Sequence, residues 1–228
     1  MNINKLTTFL MFSSIAIIIL ISLGTWQLER LRWKTEIISS MNNHISLPPI
    51  AINTSIINDI KNYNYRRIKL NGYYLYDKYI TIYSKVLNGK VGRHLIVPFK
   101  TQFGYIIINR GFIPEDYKID PSIVQQSKEV SINGIIKFQQ KINYFTPKNN
   151  LINNEWYYVN LDEISTYFNI SLNDFYLMEE NNYKDKYPVG SQFYLNIPND
   201  HLQYAITWFS LAIVLSIFMH LLWRKNVR

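Results

Sequence analysis

Two stretches of the chain lack the polar residues that punctuate the rest. Leu6–Trp26 (LTTFLMFSSIAIIILISLGTW) and Tyr204–Trp223 (YAITWFSLAIVLSIFMHLLW) contain no charged residue. Each is about as long as the roughly 20 residues that a helix needs to cross the hydrocarbon core of a bilayer. The first is longer than the apolar region of a signal peptide, roughly 7–15 residues, and no A-x-A-like site follows it, so it reads as an uncleaved span. Trp26 and Tyr204 fall at one interface and Trp223 at the other, as aromatic belts predict. The expected organisation is a short tail 1–5, a transmembrane helix 6–26, a domain 27–203, a second transmembrane helix 204–223 and a basic tail 224–228.

Between the spans the pattern changes to short runs rich in β-branched and aromatic residues, separated by turn residues. YRRIKLNGYYL (Tyr65–Leu75) and KYITIYSKV (Lys78–Val86) are strands joined at Tyr76–Asp77, and Asn88–Gly89 is a turn. RHLIVPFKT and YIIINRGFI follow as strands with Phe103–Gly104 between them, and EVSINGIIKF is a fifth. WYYVNLDEISTYFN reads as a strand running into a helix, with Asp162 as N-cap. DFYLMEE and SQFYLNI complete the set. The predicted fold is two transmembrane helices flanking a mainly-β (α+β) extracytoplasmic domain, an antiparallel sheet or a partly closed barrel.

Lys5 before the first span, and Arg224, Lys225 and Arg228 after the second, favour both termini inside. Arg30, Arg32 and Lys34 oppose that, but a long loop crosses largely regardless of its charge. The net charge of +8 is scattered, with no Arg-rich arm, so it reads as the flanks of a membrane protein and not as a nucleic-acid surface.

The chain has no cysteine, which excludes disulfides, thiolate metal sites, iron–sulfur clusters and a cysteine nucleophile. Iron or copper would need His, Met or Tyr, and there are four histidines: His44, His94, His201 and His220. No dinucleotide fingerprint, phosphate loop, nucleophile elbow or H-E-x-x-H is present. Glu179 and Glu180 are strand neighbours pointing to opposite faces, a poor acid/base pair, and read as solvated charges. His44, in a polar loop before Pro48–Pro49, and His94, in a strand, read as structural. The chain is not expected to be an enzyme.

Four stretches together carry a resemblance: LGTWQLERLRWK (Leu23–Lys34), YRRIKLNGYY (Tyr65–Tyr74), PF…GYIIINRGFIP (Pro98 through Gly104 to Pro114) and NDHLQYAITWFSLA (Asn199–Ala212). In order and spacing they resemble the surfeit locus protein one family of cytochrome c oxidase assembly factors. The resemblance implies an inner-membrane protein, bacterial or mitochondrial, with its large domain on the periplasmic or intermembrane side. It implies as partners oxidase subunit one, other assembly factors and the membrane. It also implies haem a as a possible cofactor, with the histidine that opens the second span, His201 here, as iron ligand.

Helix geometry can be set beside that implication. His201, Tyr204, Ala205 and Trp208 fall at i, i+3, i+4 and i+7 and share a face. On the first span Trp26, Arg30 and Trp33 do the same, and Gly24 would let the helices approach. If the spans pair antiparallel, Trp26 and Arg30 join Tyr204 and Trp208 around His201, and Arg30 could hold a propionate. A plain interfacial belt with no ligand is the competing reading. His220 lies 19 residues from His201, roughly 28 Å along a helix, and cannot share a haem with it. NRGFIP reads as a strand end with a bulge at Gly111. Two functions stay open: a haem-handling assembly factor, and a scaffold that stabilises the assembling subunit by protein contacts alone.

Overall fold

The computed structural model describes residues 3–75, 77–119, 128–139, 142, 144–180, 187–191 and 199–227. Tyr76, named above at the first strand connection, and most of the SQFYLNI strand lie outside these residues. The chain forms two compact units, Met1–Met41 with Asn196–Arg228, and Asn42–Leu195.

The first unit is built from two helices. Helix α1 (Ile3–Ser46) does not end at Trp26 but continues to Ser46, and its polar last turns include His44, which the sequence reading had placed in a loop. The intervening LERLRWKTEIISS has no Gly or Pro, so nothing breaks the backbone ladder. The C-terminal helix is His201–Val227. Both are long and apolar enough to cross a membrane, yet their most apolar windows are only 6% and 11% buried. A soluble protein buries such helices; these present Phe12, Ile18, Ile206, Val214 and Phe218 outward.

The second unit is a closed barrel. Its strands, in chain order, are β1 (Ile50–Ala51), β2 (Arg67–Tyr74), β3 (Ile80–Leu87), β4 (Lys90–Thr101), β5 (Gly104–Pro114), β6 (Val130–Phe138) and β7 (Leu172–Glu179). A short helix α2 (Thr54–Asn58) precedes β2, and α3 (Leu161–Phe168) precedes β7; the helix His201–Val227 is α4 below. The order β2-β6-β7-β5-β4 closes where Tyr73 and Tyr74 of β2 pair with Lys100 and Phe99 of β4. The sheet is mixed, because β5 and β7 run parallel, so of the two expected forms the barrel is the one observed and it is not wholly antiparallel.

Side-chain alternation explains the closure. Along β2, Ile68, Leu70, Gly72 and Tyr74 are buried while Lys69, Asn71 and Tyr73 face out. The inward residues of all five barrel strands form one core, among them Leu95, Val97, Phe99, Ile106, Ile108, Ile132, Ile136, Phe175 and Leu177. A second core lies outside the barrel, where Ile80, Ile82, Ile96 and Ile107 are covered by Leu161, Ile164 and Phe168 of α3 and by the fully buried Trp156. Strand β5 is therefore buried on both faces, which is why Ile106–Ile108 at its centre form a continuous apolar run.

Trp156 is not in a strand leading into α3; it makes one bridge to Ile82 beside a bulge in β3. The N-cap of α3 is Asn160, not Asp162: its side chain accepts the N–H groups of Asp162 and Glu163 at 3.1 and 3.3 Å. Asp162 instead places a negative charge in the first turn, where the helix dipole favours it. Asn88 and Gly89, at φ 49° and 76°, make the predicted tight turn between β3 and β4.

Candidate functional site

The seam between α1 and α4 is made of small residues. Ala205 and Ala212 of α4 are nearly inaccessible, as are Ser13 and Gly24 of α1. A Cβ on Gly24 would come within 2.7 Å of the Phe209 ring, so any larger residue would have to displace that ring. The contacts run antiparallel: Phe9 meets Phe218 edge-on at 6.5 Å, Ser14 Oγ lies 4.0 Å from Met219 Sδ, and Asn199 Nδ2 donates to Thr35 Oγ1 at 3.1 Å.

His201 sits in this seam as the first residue of α4. Its Nδ1 is 2.7 Å from Gln27 Oε1. An amide oxygen only accepts, so Nδ1 is the donor in this contact, and in the neutral imidazole the Nε2 lone pair is left for another partner. Ala205, one turn on, is buried, and Trp208 is half-buried. Tyr204 flanks this line of residues and is 56% exposed.

Trp26 and Arg30 are on a different face of α1 from Gly24. At about 100° per residue, Trp26 lies about 200° round α1 from Gly24, which faces α4. It is 51% exposed, and the Arg30 guanidinium stacks 4.4 Å over the Trp33 ring on that same outer face. The contact that His201 makes across the seam is with Gln27. Gln27 was passed over in the sequence, although a lone amide closing an apolar span is a signal, because it needs a hydrogen-bond partner there. His220 is exposed, its ring 6.1 Å from Trp223.

The chemistry of this donor set can be matched to a haem. Imidazole with a protein acceptor on Nδ1 is the arrangement that metal-ligating histidines adopt. Tyr204 and Trp208 supply ring surfaces on adjacent turns, with alanine between. His201, Tyr204 and Trp208 lie along one side of α4 and are the residues that would line a haem there, while Arg30 is stacked on Trp33 of its own helix. Among the described residues no group of three His, Asp or Glu side chains could hold a metal ion. A cleft of about 850 Å³ in the barrel unit, lined by residues such as Lys69, Tyr73, Lys100 and Glu129, contains no histidine.

The NRGFIP segment forms a separate network. Asn109 Oδ1 accepts the Gly111 N–H at 3.1 Å, which orients the amide so that Nδ2 donates to His94 Nδ1, also at 3.1 Å. His94 is therefore neutral, with its proton on Nε2. Burial, and after it the Lys85 charge, holds its pKa down to about 4. Arg110 Nε donates to Glu179 Oε2 at 3.1 Å with both side chains buried, and its guanidinium lies 4.6 Å from the Tyr74 ring centroid. Glu180 pairs with Arg67 at 2.8 Å. The adjacent glutamates are thus ion-pair partners, not the solvated charges their alternation suggested; each face of β7 meets an arginine from a neighbouring part of the barrel. Gly111 has φ +114°, and the Val189 carbonyl occupies the place of a Cβ. Phe112 and Val189 exchange backbone hydrogen bonds at 2.9 and 2.8 Å. These groups lock a bulge between β4 and β5 and dock the 187–191 segment; they do not converge on a cleft.

Two apolar, outward-facing helices, one N-terminal and one C-terminal in sequence to a small mixed barrel, with a histidine in the seam between them, define a membrane-type protein with one mainly-β domain. This chain belongs to the SURF1 family, which matches residues 14–213. It is 35% identical to the SURF1-like protein of Rickettsia felis over 92% of its own length and 93% of that protein's. It is 34% identical to that of Rickettsia conorii over 96% and 92%. Against Surfeit locus protein 1 of Rattus norvegicus the identity is 29%, over 90% of this chain and 72% of the rat protein.

Proposed function

We propose that this chain is a membrane-bound, non-enzymatic assembly factor for haem-copper cytochrome c oxidase, which holds haem a at His201 and assists its insertion into subunit one. The family match covers most of α1, about half of α4 and the whole barrel. The observation that carries the ligand role is the 2.7 Å contact of His201 Nδ1 with Gln27, which leaves Nε2 for iron. Tyr204 and Trp208 would flank the macrocycle, and the lipid would receive its apolar tail. Haem a, when bound, supplies the iron centre that the receiving subunit needs; His201 holds and orients it. In this reading the barrel lies on the periplasmic or intermembrane side of an inner membrane, and subunit one and other assembly factors are its partners.

A second reading is a scaffold that binds no haem. Its support is that Arg30 stacks on Trp33 of its own helix and Trp26 is half exposed, so neither is committed to a group at His201. The experiment is the absorbance spectrum of the full chain purified from a host that makes haem a. A haem spectrum lost in His201→Ala and kept in His220→Ala is expected, with membrane insertion unchanged. Full haem occupancy in the His201 variant would remove the ligand assignment. Loss of haem with oxidase assembly intact would favour the scaffold.

A further inference from the structure

We infer that Gln27 is the positioning residue of His201, fixing its tautomer and ring orientation so that Nε2 is presented to iron; the inference rests on the haem-holding reading. A free imidazole prefers its proton on Nε2, which would leave Nδ1, close to the backbone and crowded, as the donor atom. The Gln27 amide oxygen, 2.7 Å from Nδ1, reverses this preference because it can accept a proton and cannot donate one.

The amide is held in place by the seam. Gly24, one turn earlier on α1, packs against Phe209, and the Asn199–Thr35 hydrogen bond ties α4 to α1 two turns later on α1. Gln27 is also the first side chain after the uncharged Leu6–Trp26 stretch able to accept from an imidazole without bringing a charge. Hydrogen-bond partners of a ligating imidazole typically change metal affinity by roughly 10–100-fold when removed.

The test uses the full chain in detergent, labelled with ¹⁵N-histidine, and haemin as the probe. Ring-nitrogen NMR, with His201 assigned from the His201→Ala spectrum, should find the Nδ1–H tautomer in the wild type. Gln27→Leu should shift His201 toward Nε2–H and weaken haemin binding by roughly 10–100-fold, with a changed Soret band. Ser14→Ala removes a contact at the far end of the same seam without touching Gln27 or the imidazole, and should change neither readout. An Nε2–H tautomer in the wild type, or a tautomer unmoved by Gln27→Leu, overturns the inference. So does equal haemin affinity in wild type and Gln27→Leu, with the haem reading left standing. Failure of the wild type to bind haemin overturns the haem reading itself, and the inference with it.

Discussion

Single residues in the barrel carry constraints that act through backbone geometry and burial. Gly111 has a φ that L side chains avoid, and a Cβ would collide with the Val189 carbonyl. Gly111→Val should therefore destabilise the barrel by well over ~1 kcal/mol, seen as lower thermal midpoint and faster proteolysis of the full chain in detergent. Wild-type resistance would mean that the Phe112–Val189 junction contributes nothing. His94 makes a pH prediction. Its folded pKa, about 4, is below the ordinary 6.5, so the unfolded chain binds more protons between those values. The stability it confers is full above about pH 6.5 and is lost as pH falls through about 4, roughly 3 kcal/mol in all. Thermal midpoints measured from pH 7 to pH 4 should fall less steeply in His94→Gln, which cannot charge.

At the scale of elements, the helix pair depends on close approach and not on side-chain interlocking. The chain has no native cysteine, so an engineered pair reads the seam cleanly. Ser14→Cys with Met219→Cys should cross-link on oxidation, since the two side chains meet at 4.0 Å. Adding Gly24→Leu should sharply reduce that cross-link, because its side chain must displace the Phe209 ring. An unchanged yield would show that the helices pair without the Gly24 contact. Strand β5 makes the corresponding point for the barrel. Its apolar run Ile106–Ile108 serves the inner core with Ile106 and Ile108 and the outer core with Ile107. A run of that kind announces a strand buried on both faces, but not which partners cover each face.

For the whole molecule the open question is sidedness. Reporters fused ahead of Lys5 and after Arg228 should read as cytoplasmic, and one inserted at Asn88–Gly89 as exported, given two spans with basic flanks. A cytoplasmic signal from the inserted reporter would reverse the assignment. Asn88–Gly89 is a suitable point because it is an exposed tight turn between paired strands, where an insertion disturbs no core contact.

Local pattern alone determined a good deal here. The two uncharged runs specify the terminal helices, because length and apolarity are properties of contiguous sequence. The alternation in YRRIKLNGYY and the apolar run in YIIINRGFI specify strands for the same reason. His201, at the threshold of an apolar run, could be singled out without coordinates. Tertiary structure decided what depends on partners far apart in the chain. Closure of the sheet rests on Tyr73–Tyr74 meeting Phe99–Lys100, and the parallel pairing of β5 with β7 has no local signature. Glu179 and Glu180 look like a solvated pair until Arg110 and Arg67 are brought against them. The face of α1 that meets α4 was likewise hidden. Trp26 and Arg30 are the conspicuous residues at that interface, but the seam selects for small side chains and satisfied polar groups. Gly24 and Gln27 therefore turn inward, and the aromatic and cationic residues remain outside.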